Sequence, residues 1–415
     1  MMDASAERVV HAYRVREDLV HTFFDDHAAR LAELCLSMAR RFARGGRLIA
    51  FGSGPAVTDA QHVSVEFVHP VIVGKRALPA IALPNDVTSS LGLALHDPRS
   101  FITRQLDAIG RPVDIALGMV HAGHDPGAES VTAALKEAAS LGMLTIGLGG
   151  AAGAPEGGEH SFAVDSTDPF VVQEVHETLY HVLWELVHVF FEHKGLLEDR
   201  IRGASHDTGR SSFLYPFLAE AEQDTEKVLS GVRRSILQKA GDVSDLRRGS
   251  CDAQGLSDTA RLVSERIAAG GAVLAFGNGG SATDAQDLVG DLVAPPDGMA
   301  PVPALSLTND IAVITAVGND VGFENIFARQ VIAYGRETDV AVAISTSGGS
   351  RNVVAAVEEA ARRGMLTVGF SGYGGGRLAE LCDRAHVVQG DYIPRIQEAQ
   401  ATQYHVLRSL LVSGS

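Results

Sequence analysis

The chain repeats itself. Phe51-Gly52-Ser53-Gly54-Pro55-Ala56-Val57-Thr58-Asp59-Ala60-Gln61 aligns with Phe276-Gly277-Asn278-Gly279-Gly280-Ser281-Ala282-Thr283-Asp284-Ala285-Gln286 at an offset of 225. Gly142-Met143-Leu144-Thr145 recurs as Gly364-Met365-Leu366-Thr367 at an offset of 222, and Gln173-Glu174 recurs as Gln397-Glu398 at 224. An offset this constant over about 120 residues is not a chance event, so the 415 residues are two copies of one domain of roughly 200 residues. The boundaries read as 1–202 and 213–415, joined by a polar linker at 203–212 around Gly203-Ala204-Ser205-His206-Asp207-Thr208-Gly209.

Each copy opens with a helical region, about Ala6–Arg44 and Pro216–Ala269, and closes with a long helix, Val171–His193 or Ile396–Val412. Between them, short apolar runs alternate with helical patterns. In copy one the runs are Arg47–Phe51, Pro79–Leu83, Asp114–Val120, Leu144–Leu148 and Ser161–Val164. Copy two repeats them at Ala272–Phe276, Pro303–Leu307, Asp339–Ile344, Leu366–Phe370 and Ala385–Val388. Short β-rich runs separated by helices predict an α/β fold, with a five-stranded parallel sheet in each copy covered by helices on both faces.

The two copies differ in the turns that follow their strands. In copy two, one strand runs into Gly277-Asn278-Gly279-Gly280-Ser281 and a helix, and another into Ser345-Thr346-Ser347-Gly348-Gly349-Ser350 and a helix. Glycines let backbone N–H groups approach an anion, and a helix N-terminus adds unpaired donors. The first loop alone is equally a tight strand-to-helix turn. The second is more specific, because an N-cap needs one serine, whereas four hydroxyls and two glycines can wrap a phosphate. Copy one breaks both loops: Pro55 removes a donor, Ala56 replaces Ser281, and Val120-His121-Ala122-Gly123-His124-Asp125 replaces the hydroxyl run.

Histidine follows the opposite trend, with fourteen of sixteen before residue 207. His62 and Glu66 are four apart on the helix after the first glycine turn, and Gln173 and His181 are eight apart on the last helix, so each pair shares a helix face. Three readings fit this spacing: a first shell for Zn²⁺ or a similar ion, a general base and acid without metal, or a buried polar network between two helices. Copy two carries Asp287 and Asp291 at the first two positions and keeps Gln397 and His405.

Composition removes several function classes. With 46% hydrophobic and 21% charged residues the chain is globular in character. No apolar run reaches the ~18 residues of a membrane span, and Met1–Arg8 lacks the basic and apolar regions of a signal peptide. These readings point to a cytoplasmic protein with no membrane partner. Thirty-five basic against fifty-one acidic residues, net −16, argues against a nucleic-acid partner, which would need clustered Lys and Arg. Cys35, Cys251 and Cys382 are isolated, without C-x-x-C spacing, as in a reducing compartment.

Copy two resembles the sugar isomerase (SIS) domain and, within it, the phosphoheptose isomerase family. The residues that carry the resemblance are the glycine loop through Asp284-Ala285-Gln286, Val317-Gly318-Asn319-Asp320-x-Gly322-Phe323-Glu324-x-Ile326-Phe327, Ile344-Ser345-Thr346-Ser347-Gly348 and Arg395-Ile396-Gln397-Glu398. Copy one matches more weakly but holds the family's metal and proton-transfer quartet. The resemblance implies two tandem SIS domains of flavodoxin-like topology with an added N-terminal helical region. It also implies a ketose–aldose isomerase that interconverts sedoheptulose 7-phosphate and a D-glycero-heptose 7-phosphate through an enediol.

Carried over by position, Glu66 is the base and His181 the acid, with His62, Glu66, Gln173 and His181 as ligands of one zinc per chain. Ser281, Ser345, Thr346, Ser347 and Ser350 hold the phosphate, Asn278, Gly279, Asn309, Asp310 and Gln397 line the sugar, and His405 is the copy-two counterpart of the acid. The family's acidic residue three before the glutamine is Phe170 or Pro394 here, and its basic residue four after the helix glutamate is Pro70 or Pro295, so substrate contacts depart from the common pattern. The losses in the two copies are complementary. They predict sites shared between copies, with phosphate binding from copy two and proton transfer from copy one, and a homodimer that imitates the family's tetramer of single domains. The rival readings are a non-catalytic module that senses a sugar phosphate or scaffolds a partner, and an isomerase for another phosphosugar.

Overall fold

The computed structural model describes residues 3–72, 75–121, 127–197, 224–296 and 298–411. The linker expected at 203–212 lies outside them, as do His124 and Asp125. Copy one begins with α1 (Ala4–Ala43), β1 (Leu48–Gly52), α2 (Ala56–Val68), β2 (Ala80–Ala82), α3 (Val87–His96) and α4 (Phe101–Ile109). It continues through β3 (Ile115–Met119), α5 (Ala128–Ser140), β4 (Leu144–Gly149), β5 (His160–Ala163) and α6 (Pro169–Glu192). Copy two opens with α7 (Thr225–Gly249), α8 (Ala253–Ala268), β6 (Val273–Gly277), α9 (Gly280–Val293), β7 (Ala304–Ser306), α10 (Ile311–Asp320) and α11 (Ala328–Tyr334). Its second half is β8 (Val340–Ser345), α12 (Arg351–Arg362), β9 (Leu366–Ser371), α13 (Gly376–Leu381), β10 (Arg384–Val387) and α14 (Ile393–Leu411).

Both sheets are five-stranded and wholly parallel, in the orders β2-β1-β3-β4-β5 and β7-β6-β8-β9-β10. The central strands β1, β3, β4, β6, β8 and β9 are buried along their whole length, which is why they read as unbroken apolar runs rather than as alternating patterns. Strand order reverses between β1 and β3, and between β6 and β8. In a parallel sheet the crevice at that reversal, outside the carboxyl ends of the strands, is where ligands bind. The glycine turns follow β1 and β6 and the hydroxyl run follows β8, so topology alone places them at this crevice.

Among the described residues, the helical region expected at Pro216–Ala269 is two helices, its first residues lying outside them. Asp252 ends the continuity by accepting a bond from the Gly255 N–H at 2.9 Å, which starts α8 as an N-cap. The compact units also depart from chain order at their edges: one comprises Met1–Asp18 with Asp242–Ser415, the other Leu19–Gly241. Within the first unit, Val9 and Tyr13 of α1 join the core formed by Leu256, Ala260 and Tyr404, and Glu17 accepts from Arg248 at 2.9 Å. Within the second unit, Lys239 of α7 pairs with Glu185 of α6.

One buried carboxylate recurs at the entrance to the third strand of each copy. Asp114 accepts from the Arg47 N–H at 2.9 Å and from the Arg47 and Arg111 guanidinium groups at 2.6 and 2.8 Å. Asp339 accepts likewise from the Ala272 N–H and from Arg336. Burial pushes the Asp114 carboxyl up, but the bonds from Arg47 and Arg111 outweigh it and hold the group below the usual carboxylate range. Asp114→Ala is therefore expected to cost about 2 kcal/mol, read as a shift in urea midpoint, because it leaves backbone donors unpaired. Since the folded pKa is depressed, this stabilisation is present at neutral pH and disappears as pH falls through the folded pKa, so the variant and the parent should converge in acid.

Candidate active site

The helix after the first glycine turn, α2, buries Asp59, His62, Val63, Glu66 and Phe67, which is one stripe at three- and four-residue spacing. Helix α6 begins with Pro169 in its first turn and Asp168 as its cap, and it is buried over nearly its whole circumference. Gln173, Glu177 and His181 lie four residues apart on one face of α6. Where the two helices pack, the His62 ring lies 5.2 Å from that of His181 and 5.3 Å from that of Tyr180. His62 Nε2 is 3.8 Å from Glu66 Oε1.

One group gathered here is His62, Glu177 and His181, whose ligand atoms lie within 4.8 Å of one another, all buried. Two imidazoles and a carboxylate form a donor set suited to a zinc-like ion, so the residues present fit such a group. Glu66 borders this trio through His62, and Gln173 is buried one turn before Glu177. Glu177 is not among the residues expected from the sequence, although a signal for it exists there. It stands midway between Gln173 and His181, four residues from each.

A second cluster lies beside the first. His121 Nε2 and Asp59 Oδ2 are 2.5 Å apart, and His176 Nε2 lies 3.3 Å from the Gly149 carbonyl oxygen. The His121 and His176 rings are 5.7 Å apart. Burial, reinforced by the neighbouring His121, pushes the His176 imidazole down to about 3, so it is neutral at physiological pH. His121 sits two residues past the end of β3, where the offset of 225 places Thr346 of the hydroxyl run in copy two.

Copy two keeps both the glycine turn and the hydroxyl run. Gly279 caps α9 at φ 58°, a conformation that favours glycine, and a Cβ on Gly277 would collide with the Ser281 carbonyl oxygen. In the hydroxyl run, Ser345 and Ser350 bond to each other at 3.1 Å, and the Gly349 N–H donates to Ser347 Oγ at 3.2 Å. Ser347 is exposed, while Thr346 and Ser350 are half-buried. Asn278 is held by a reciprocal amide pair with Asn352 at 2.8 Å in both directions. Asn352 is a partner that no local pattern in the sequence announces; copy one has Ser53 and Ser130 at the two positions, so the amide pair is specific to copy two.

The remaining expected residues divide. Asp310 caps α10 by accepting from the Val313 N–H at 2.9 Å, so its carboxylate already has structural work beside the exposed Asn309. Gln397 and His405 are buried on α14. His405 Nε2 lies 3.1 Å from Asp287 Oδ2 and 3.7 Å from Asp291 Oδ2, and the Tyr404 hydroxyl donates to Asp287 at 3.0 Å. Copy two thus has a His/Asp/Asp cluster where copy one has His/His/Glu, and Ala401 stands in place of Glu177. Among the described residues, no helix is long and apolar enough to cross a membrane.

Comparison with known proteins agrees with this geometry. The SIS domain family model matches residues 13–150 and 246–372, one match in each copy and together more than half of the chain. The chain is similar to the phosphoheptose isomerase of Rhodospirillum rubrum, 43% identical over 183 residues, which are 43% of this chain and 94% of that protein. It is also similar to the phosphoheptose isomerase of Desulfovibrio desulfuricans, 48% identical over 157 residues, 37% of this chain and 74% of that one. The C-terminal domain of glucosamine-fructose-6-phosphate aminotransferase from Francisella tularensis shares the fold over 97% of this chain and 94% of its own, with a TM-score of 0.57 and 8% identity. Two matches to the SIS model, two parallel sheets of one topology and relatives that each span a single copy lead to one conclusion: this chain is a tandem member of the SIS domain family and belongs with the phosphoheptose isomerases.

Proposed function

We propose that this chain is a sugar-phosphate aldose–ketose isomerase that interconverts sedoheptulose 7-phosphate and a D-glycero-heptose 7-phosphate, as a step in heptose biosynthesis. The observation that carries the proposal is the buried His62, Glu66, Glu177 and His181 group on α2 and α6, in a chain whose relatives are named phosphoheptose isomerases. In this reading Glu66 takes the proton from C1 of the ketose and returns it to C2, while His181 serves the hydroxyl proton that moves between O2 and O1. No atom is gained or lost. A zinc ion held by His62, Glu177 and His181, with Glu66 and Gln173 adjoining, supplies Lewis acidity to the substrate carbonyl when bound.

The phosphate belongs to copy two in this proposal. Ser281, Ser345, Thr346, Ser347 and Ser350, with the N–H groups at the starts of α9 and α12, offer neutral donors at the switch point of that sheet. Asn278, Gly279, Asn309 and Gln397 are assigned to the sugar, and His405 to the corresponding place in copy two. The labour is divided because each copy has lost what the other keeps. Two chains would then carry four SIS domains, and a solution mass of two chains is expected.

The test is incubation of the full chain with six- and seven-carbon ketose phosphates, with and without a chelator. Turnover is expected for the seven-carbon substrate. Binding without turnover across the panel would replace the isomerase by a sensing module. In the same preparation, elemental analysis of His62→Ala is expected to show one zinc equivalent fewer than the parent, and an unchanged count would reduce the His62 cluster to proton transfer alone.

A further inference from the structure

The geometry points to a second divalent-cation site in copy one, formed by Asp59, His121 and His176 at the carboxyl ends of β3 and β4. It is separate from the His62, Glu177 and His181 cluster and does not depend on the isomerase reading. The ligand atoms of Asp59, His121 and His176 lie within 4.8 Å of one another, and all three residues are buried. Neutral imidazole nitrogen twice and carboxylate oxygen once is a donor set for zinc and its neighbours rather than for Mg²⁺ or Ca²⁺, which prefer oxygen throughout.

The second observation is the state of the two rings. His176 donates from Nε2 to the Gly149 carbonyl oxygen, which leaves the lone pair on Nδ1. That Nδ1 is buried and, among the described residues, has no hydrogen-bond partner, whereas His121 faces Asp59 through Nε2. A histidine whose one ring nitrogen is bonded to a backbone carbonyl, leaving the other bare, is in the arrangement of a metal ligand with its orienting partner. Burying such a nitrogen without a partner is unfavourable, and an ion would relieve it. Bond lengths of about 2.0–2.1 Å to a tetrahedral ion put ligand atoms about 3.3 Å apart, so binding would widen the 2.5 Å contact of Asp59 with His121 by roughly 1 Å and release the proton it holds.

The duplication provides the internal control. Copy two keeps the aspartate, as Asp284, but has Thr346 and Gln400 at the positions of His121 and His176. Both histidines therefore occur only in the copy that lacks the phosphate loop. An ion there would tie α2, α6 and the ends of β3 and β4 together in the crevice that the hydroxyl run serves in copy two, and three protein ligands leave one coordination position open.

The experiment uses the full chain, stripped with a chelator, dialysed against Zn²⁺ and separately against Co²⁺, with metal counted by elemental analysis and Co²⁺ ligation followed by its visible spectrum. The parent is expected to bind two equivalents. His121→Thr/His176→Gln, which installs the residues copy two already tolerates, is expected to bind one, and to lose one component of the cobalt spectrum. His62→Ala is expected to keep the equivalent that the double variant loses. If His62→Ala binds none, or the double variant binds as many ions as the parent, the second site does not exist and the trio is a metal-free polar cluster. Should the double variant fail to fold, the ion remaining in His62→Ala decides. A parent that binds a single equivalent, lost in the double variant and kept in His62→Ala, would support this site while removing the zinc assigned to the isomerase centre.

Discussion

Glu66→Gln is expected to lower turnover of the heptose phosphate by about 10²-fold or more with little change in KM. The substitution keeps size and hydrogen bonding but removes the carboxylate that, in the proposed mechanism, accepts the carbon-bound proton. Glu66 is buried, and its Oε1 lies 3.8 Å from His62. The matching change in copy two, Asp291→Asn, is expected to cost far less. Asp is one methylene shorter, and Asp291 lies beside a histidine already bonded to Asp287. The same asymmetry is expected between His181→Ala and His405→Ala. Initial rates of the four variants, measured on one substrate, decide the matter. If Asp291→Asn abolishes turnover and Glu66→Gln leaves it intact, copy two is the self-sufficient enzyme and copy one a structural partner.

The second large effect concerns the hydroxyl run. Ser345→Ala with Ser347→Ala is expected to raise KM by about 10²-fold, the loss of two charge-assisted bonds to a phosphate at roughly 1.4 kcal/mol each, while kcat changes much less. Ser347 is exposed at the mouth of the loop and Ser345 bonds to Ser350, so neither supports the apolar core, and the thermal midpoint should stay near that of the parent. Steady-state kinetics across substrate concentration separates the two parameters. A KM that does not move would place the phosphate elsewhere. Mixing this variant with Glu66→Gln tests whether the two contributions can come from different chains, since only then can a hybrid recover activity.

Much of the architecture is legible in the order of residues alone. The five apolar runs of each copy fall on the observed strands to within one or two residues, because a strand buried on both faces is continuously apolar and its ends are marked by glycine or proline. The long closing helices are legible for the same local reason. The break between α7 and α8 is not, because a single cap, Asp252, interrupts a pattern that is otherwise helical on both sides. Edges that belong to the other unit, such as Met1–Asp18 packing with Asp242–Ser415, leave no local trace, since an amphipathic helix shows an apolar face but not what covers it.

The candidate sites divide along the same line. His62 with Glu66, and Gln173 with His181, are visible as pairs because helical spacing within one segment reveals a shared face. By itself, then, the sequence determined the duplication, the parallel α/β class, the complementary losses of the two copies and the placement of the loops at strand ends, all of which follow from periodicity and local turn chemistry. Only the tertiary structure decided that Glu177 joins His62 and His181, that Asn352 holds Asn278, and that Asp59, His121 and His176 converge. Asp59 and His121 are 62 positions apart and Asn278 and Asn352 are 74 apart, so their meeting depends on how helices and strand ends pack in three dimensions, and no local pattern encodes it.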